Sequence, residues 1–172
     1  MIKSDKKLKE LVTVLRNDDN LIISEAIELL REEQPFEGAI GLLTSYYNTT
    51  DDKSVRKAIE GFMNDLKDQK VTAEIINEIR KQWNEGTKSM LVSSCWQSGL
   101  DYSEYTTELT EAFLTGDYIT AIECLTVIEE TVNKLTHKKK DEILKIIENS
   151  PAGIKNEKTE LRLELVSILK RE

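Results

Sequence analysis

Proline and glycine are scarce, at 2 and 7 of 172 residues. A turn-rich β architecture needs more of both, so a β-sandwich or barrel is excluded at the outset. Histidine occurs once and cysteine twice. His137 stands beside Lys138, Lys139 and Lys140. A catalytic or metal-binding histidine needs a carboxylate partner and a protected site, which a lysine run does not supply, so an exposed residue at a helix start is expected. One histidine and two distant cysteines give no zinc spacing. Glycine-rich phosphate loops, dinucleotide fingerprints, the nucleophile elbow and the His-Glu-x-x-His zinc motif are all missing. No apolar run approaches the ~18 residues of a membrane helix. The start, MIKSDKKLKE, has no apolar segment of the secretory kind. Cys95 and Cys124 lie among acids, which raise a thiol pKa and suppress the thiolate. They are expected to be buried and structural, in a reduced cytoplasmic setting. A disulfide stays open if residues 92–96 and 121–125 fall on stacked neighbours. No catalytic residue, cofactor or metal is expected.

One further absence organises the chain. Between Ser89 and Asn133 there is no lysine and no arginine. The stretch holds eight acids: Asp101, Glu104, Glu108, Glu111, Asp117, Glu123, Glu129 and Glu130. Outside it 24 basic side chains face 24 acidic ones, so the formal charge of -8 resides here. Five of the ten aromatic residues are here too, namely Trp96, Tyr102, Tyr105, Phe113 and Tyr118. Such an acidic balance opposes binding to a phosphate backbone. The basic runs at Lys134–Lys140 and Lys3–Lys9 are expected to be solvated ends rather than nucleic-acid or membrane contacts.

What is present is helical periodicity. Leu8, Leu11, Val12 and Leu15 follow i, i+3, i+4, i+7 spacing. After the polar cluster 17–20, Ile23, Ala26, Ile27 and Leu30 repeat it. Pro35 is placed to open a third helix carrying Phe36, Ala39, Ile40 and Leu43. A turn at 48–52 leads to Val55, Ala58, Ile59 and Phe62. Thr72 is expected to cap the next helix, with Ile75, Ile76 and Ile79 inward. Gly86 and Thr87 are read as a turn, and Gly99 as the left-handed end of helix 88–98. Helices from Asp101 or Ser103, over 117–135, over 137–149 behind Thr136, and over 155–171 complete an all-α chain. Asp101-x-x-Glu104 fits a capping box.

Three segments resemble one another: SEAIELL (24–30), RKAIEGF (56–62) and TAIECLT (120–126). The spacing of about 30–36 residues per helix pair is that of helical repeats. A single pair has too little apolar surface to stand alone and needs stacked neighbours. The turn and helix Asp52-x-x-Val55-Arg56-x-Ala58-Ile59 resembles the HEAT-repeat family, with looser copies at Asp117-x-Ile119-x-Ala121-Ile122 and Asn20-x-x-Ile23-x-x-Ala26-Ile27. The stretch Cys-Trp-Gln-Ser-Gly-Leu-Asp-Tyr (95–102) is similar to one in bacterial HEAT-like repeat proteins. The resemblance implies a right-handed α-α superhelix, an α-solenoid of about five antiparallel helix pairs, as a single domain over residues 1–172. It implies no activity. Some HEAT-like proteins are DNA glycosylases, but those need an extended basic groove, which a charge of -8 opposes.

The functional expectation is a non-catalytic scaffold that binds another protein or peptide, basic in character, as a monomer or weak homo-oligomer. The candidate face is Asp101, Tyr102, Glu104, Tyr105, Glu108, Glu111, Asp117 and Tyr118. Glu104, Glu108 and Glu111 are spaced to share one helix face, where like charges repel unless something positive binds. Trp96 is expected to pack inward. Alternatives are an enzyme or enzyme accessory resembling the HEAT-like lyases of tetrapyrrole-bearing proteins, or a self-associating module.

Overall fold

A computed structural model describes residues 2–33, 35–151 and 157–171. Ten α-helices are present, and no strand occurs among the described residues. They are α1 (Ile2–Leu15), α2 (Asn20–Leu30), α3 (Ala39–Thr49), α4 (Lys53–Asn64), α5 (Thr72–Ile79), α6 (Glu85–Gln97), α7 (Thr106–Thr115), α8 (Tyr118–Thr131), α9 (His137–Asn149) and α10 (Thr159–Leu169). None of the described helices is long and apolar enough to cross a membrane. The contacts divide the chain into two compact units, residues 1–100 and 101–172.

In the first unit, consecutive helices pack as the pairs α1/α2, α3/α4 and α5/α6. Each odd helix also touches the next odd helix, and α4 lies between α2 and α6. The repeated motif explains the second set of contacts. Ile27 and Ile59 are fully buried at matching positions of α2 and α4, and Ala58 is buried beside Ile59. The core adds Ile23, Ile40, Leu43, Val55, Met63, Ile75, Ile76 and Leu91. Arg56 of α4 places its guanidinium 4.3 Å from the centre of the Tyr47 ring on α3. The Tyr47 hydroxyl donates to Glu60 at 2.6 Å. Burial is the leading cause that pushes the Tyr47 pKa up, and the Glu60 bond adds to it.

Polar side chains close the helix ends. Asp19 accepts from the Leu21 N–H, Asp52 from Ser54 and Val55, and Asn84 from Thr87. Three local expectations are corrected. The third helix begins at Ala39, not Pro35, because Gly38 takes a left-handed φ of 86° immediately before it. A Cβ at Gly38 would also lie 3.3 Å from Leu8. Thr72 lies inside a helix already begun, since Asp68 caps a 3-10 turn over Gln69–Val71 that runs into α5. Gly86 and Thr87 sit in the first turn of α6, because Asn84 caps that helix earlier. Gly99 ends α6 at φ 69°, as the spacing predicts.

α3 lacks a side-chain cap of its own. Its free N–H groups are met from another helix: Glu74 of α5 accepts from the backbone of Gly41 and Gly38. Burial, the largest influence, raises the Glu74 pKa, and these two hydrogen bonds oppose it. Glu78, one turn on, is 4% exposed and pairs with Lys81 at 2.6 Å. A Cβ on Gly41 would come within 2.9 Å of Glu78 Oε1, so glycine there makes room for a carboxylate against the start of α3.

The second unit packs α7 against α8 extensively, α7 against α9, and α10 against both α8 and α9. Its core is Tyr102, Leu109, Phe113, Ala121, Cys124, Ile128, Ile143, Ile147, Leu165 and Ile168. Ile122, of the repeat motif, is only half-buried. Cations close helix C-termini here. Lys158 Nζ donates to the carbonyls of Phe113, Leu114 and Gly116 at 3.1, 2.9 and 2.7 Å, at the end of α7. Arg162 donates to the Ile147 carbonyl in the last turn of α9. Lys140, 9% exposed, donates to the Arg171 carbonyl beyond α10 at 2.8 Å. These full positive charges meet the partial negative charge of the exposed carbonyls at the helix ends. α9 ends at Asn149, as the expected helix over 137–149 does. The expected helix start at Lys155 lies outside the described residues.

Candidate interaction face

All eight residues of the expected face belong to the second unit, and the fold gives them different tasks. Asp101 accepts from the Ser103 N–H at 3.0 Å and pairs with Lys134 at 2.9 Å. The Lys134 bond, then the Ser103 N–H, hold its carboxyl below the usual range. Asp101 therefore starts a turn, as the capping-box spacing suggests, but the turn is 3-10 over Ser103–Tyr105 and α7 begins only at Thr106. Tyr102 is 1% exposed and packs into the core of the unit. Tyr102, expected on the candidate face, does not reach it, because the connection that carries it folds into the core.

Glu104 lies in the 3-10 turn and is exposed. Glu108 and Glu111 lie on α7, half-buried and exposed respectively. The α-helical spacing that would align all three breaks between Glu104 and Glu108. Tyr105 is half-buried. Asp117 caps α8 through the Thr120 N–H at 3.0 Å. Burial pushes the Asp117 pKa up, but the hydrogen bonds from Thr120 and Ile119 outweigh it and the net direction is down. Tyr118 and Ile119 open α8 at 37% and 51% exposure. Trp96, expected to pack inward, is half-buried in the first unit.

The charge anomaly of the stretch shrinks in space. Lys134 meets Asp101, Arg171 meets Glu129 at 3.0 Å, and Lys158 lies in the field of Asp117. Each of these cations comes from chain beyond Asn133, so composition alone could not reveal the pairing. What stays outward is Glu104, Glu111, Glu130, Tyr118 and Ile119. Glu111 also lines a cavity of about 440 Å³ between α7 and α9, with Leu114, Thr115, Lys145, Ile146 and Asn149. Sequence reading missed Leu114 and Ile146 as surface elements. Their helical spacing marks them as apolar but not as facing an open groove.

Cys95 and Cys124 are both buried, and neither is in a disulfide. Among the described residues, no three His, Cys, Asp or Glu side chains are grouped so as to hold a metal ion. Comparison with protein-family models, with curated proteins and with solved structures finds no match.

Proposed function

We propose that the protein is a non-catalytic HEAT-like α-solenoid of five helix pairs, three in the first unit and two in the second, that binds another protein. Supporting the repeat reading are the consecutive pairs and the contacts of α2 and α6 with α4. The observation that carries the binding reading is the position of Glu111, exposed at the rim of the α7–α9 groove with Leu114 and Ile146 beside it. An acid beside an apolar groove suits a partner that presents a cation next to an apolar side chain. The attraction speeds encounter, and the groove sets residence time. Glu104 and Glu108 extend the acidic side, while Tyr105 and Tyr118 offer amphipathic rings of the kind that anchor interfaces. Asp101, Tyr102 and Asp117 position this face rather than contact the partner.

The test is affinity capture followed by titration of the captured partner. Replacing Glu104, Glu108 and Glu111 with Gln should weaken binding roughly tenfold while leaving the fold intact, since rim charges act mainly on encounter and specificity. Unchanged affinity in the triple variant would remove this face from the interface.

A further inference from the structure

Six large apolar residues are exposed among the described ones, and three of them are on α2: Leu21 at 62%, Ile22 at 46% and Leu29 at 71%. A helix of a packed unit normally turns such residues inward. α2 already has a complete inward face in Ile23 and Ile27, both at 0%. Its outward side is thus apolar in excess of what folding needs.

The outward side is also acidic. Ile22, Glu25 and Leu29 follow i, i+3, i+7 over roughly 10 Å at 1.5 Å per residue, and Glu32 lies in the turn just past the end of α2. All four are exposed. α2 carries no lysine or arginine. Arg31, which follows it, is occupied: its guanidinium holds Asp65 through two nitrogens and Glu28 through the third. Glu25 and Glu32 are in no ion pair among the described residues.

Beside this line runs a trough. α2 packs against α4 more extensively than any other helix pair of the unit. Two small buried residues, Ser24 of α2 and Ala58 of α4, lie along the trough's floor. Small side chains let the two helices approach and leave open space above them. That space is about 710 Å³, lined by Ser24, Glu25, Glu28, Leu29, Glu32, Ser54, Lys57 and Ala58. Three acids stand against one lysine along its walls.

We infer that the α2–α4 trough is a docking site for a cationic amphipathic helix of a partner protein. An apolar side chain of that helix would lie against Leu29 and Ala58, and cationic side chains on the flanking turns would meet Glu25 and Glu32. The charge on the trough selects the sign of the partner. The interval from Ile22 to Leu29 is two helical turns, so a helix two turns long reaches both. This site lies wholly in the first unit and does not depend on Glu104, Glu108 or Glu111.

The probe is a fluorescein-labelled peptide of leucine and lysine with leucines at i, i+3, i+4 and i+7. Its control has the same composition with the leucines scattered. Anisotropy titrations should show the patterned peptide binding at least about tenfold more tightly than the control, because a groove reads apolar spacing as well as charge. Leu29→Ser should reduce the preference roughly tenfold, as loss of an interface anchor does. The double change Glu25→Gln, Glu32→Gln should weaken binding and flatten its salt dependence. Both sites are exposed, so folding is retained, and circular dichroism checks this. Equal binding of the two peptides, or a preference untouched by Leu29→Ser, would overturn the trough. If instead only Glu104→Gln, Glu108→Gln and Glu111→Gln abolish peptide binding, the trough fails while the acidic face of the second unit stands.

Discussion

The two units close their helix ends differently. The first relies on acceptors at helix N-termini: Asp19, Asp52, Asp68 and Asn84 within their own turns, and Glu74 reaching from α5 to α3. The second also uses local N-caps, Asp117 and Thr136, but adds cations at C-termini. Lys158 and Arg162 reach carbonyls at the ends of α7 and α9, and Lys140 reaches the Arg171 carbonyl just past α10. A local cap stabilises one helix. A cation that spans two helices fixes their mutual position, so the second unit depends more on single side chains.

The comparison breaks most visibly at Lys158. Lys158→Met keeps the length of the side chain and removes three hydrogen bonds from a charged donor. A loss of about 2–4 kcal/mol is expected, given 1.5–3 kcal/mol for a hydrogen bond to a charged group and partial rescue by water. Hydrogen exchange should rise in α7, α8 and α10 while α2 and α4 keep their protection. Equal loosening of both units would contradict the division.

Gly116→Ala probes the same corner sterically. Gly116 has an ordinary φ of -74°, so its conformation does not require glycine. A Cβ would, however, lie 2.8 Å from both the Ala112 carbonyl oxygen and Thr120 Cγ2. The expected cost is about 1–3 kcal/mol, the range for overpacking, measured by urea denaturation.

The smallest effect is the pH response, and it has opposite signs at Glu74 of the first unit and at Asp101 and Asp117 of the second. Glu74 has a raised folded pKa, with burial as its main cause. It therefore contributes stability that is fully present below its usual value of 4.5 and lost as pH rises through the folded value. Asp101, held down by Lys134, and Asp117, held down by its cap bonds against burial, contribute stability present above 3.8 and lost as pH falls through their folded values. Mild acidification toward 4.5 should thus raise the melting temperature through Glu74, before Asp101 and Asp117 lower it. Glu74→Gln should flatten only the first limb. An unchanged limb in that variant would assign the response to another group.

Local features of the chain were readable from residue order. Asp52, Gly99, Asp117 and Thr136 mark helix ends because their partners lie within three residues. Ile23, Ile27, Ile59 and Phe113 mark core faces because burial repeats with the helical period. Features that close over distance were not readable. Glu74 on the Gly38–Gly41 turn and Lys158 on the end of α7 need partners more than thirty residues away. Lys134 and Arg171 neutralise acids that look unopposed when only neighbours in sequence are counted. The expected face shrank for that reason, since Asp101 and Asp117 were spoken for and Tyr102 was buried. The trough on α2 was hidden for the converse reason. Leu21, Ile22 and Leu29 lie off the stripe of Ile23, Ala26, Ile27 and Leu30, but residue order does not tell which neighbours would cover them, and only the structure shows them exposed.

The central claim is that acidic, partly apolar surface recruits a cationic partner. The most direct measurement is the dissociation constant of the captured partner across a series of salt concentrations. The account predicts that the constant rises steadily with ionic strength, since screening weakens exposed charge pairs. A constant that is unchanged across the series would contradict it.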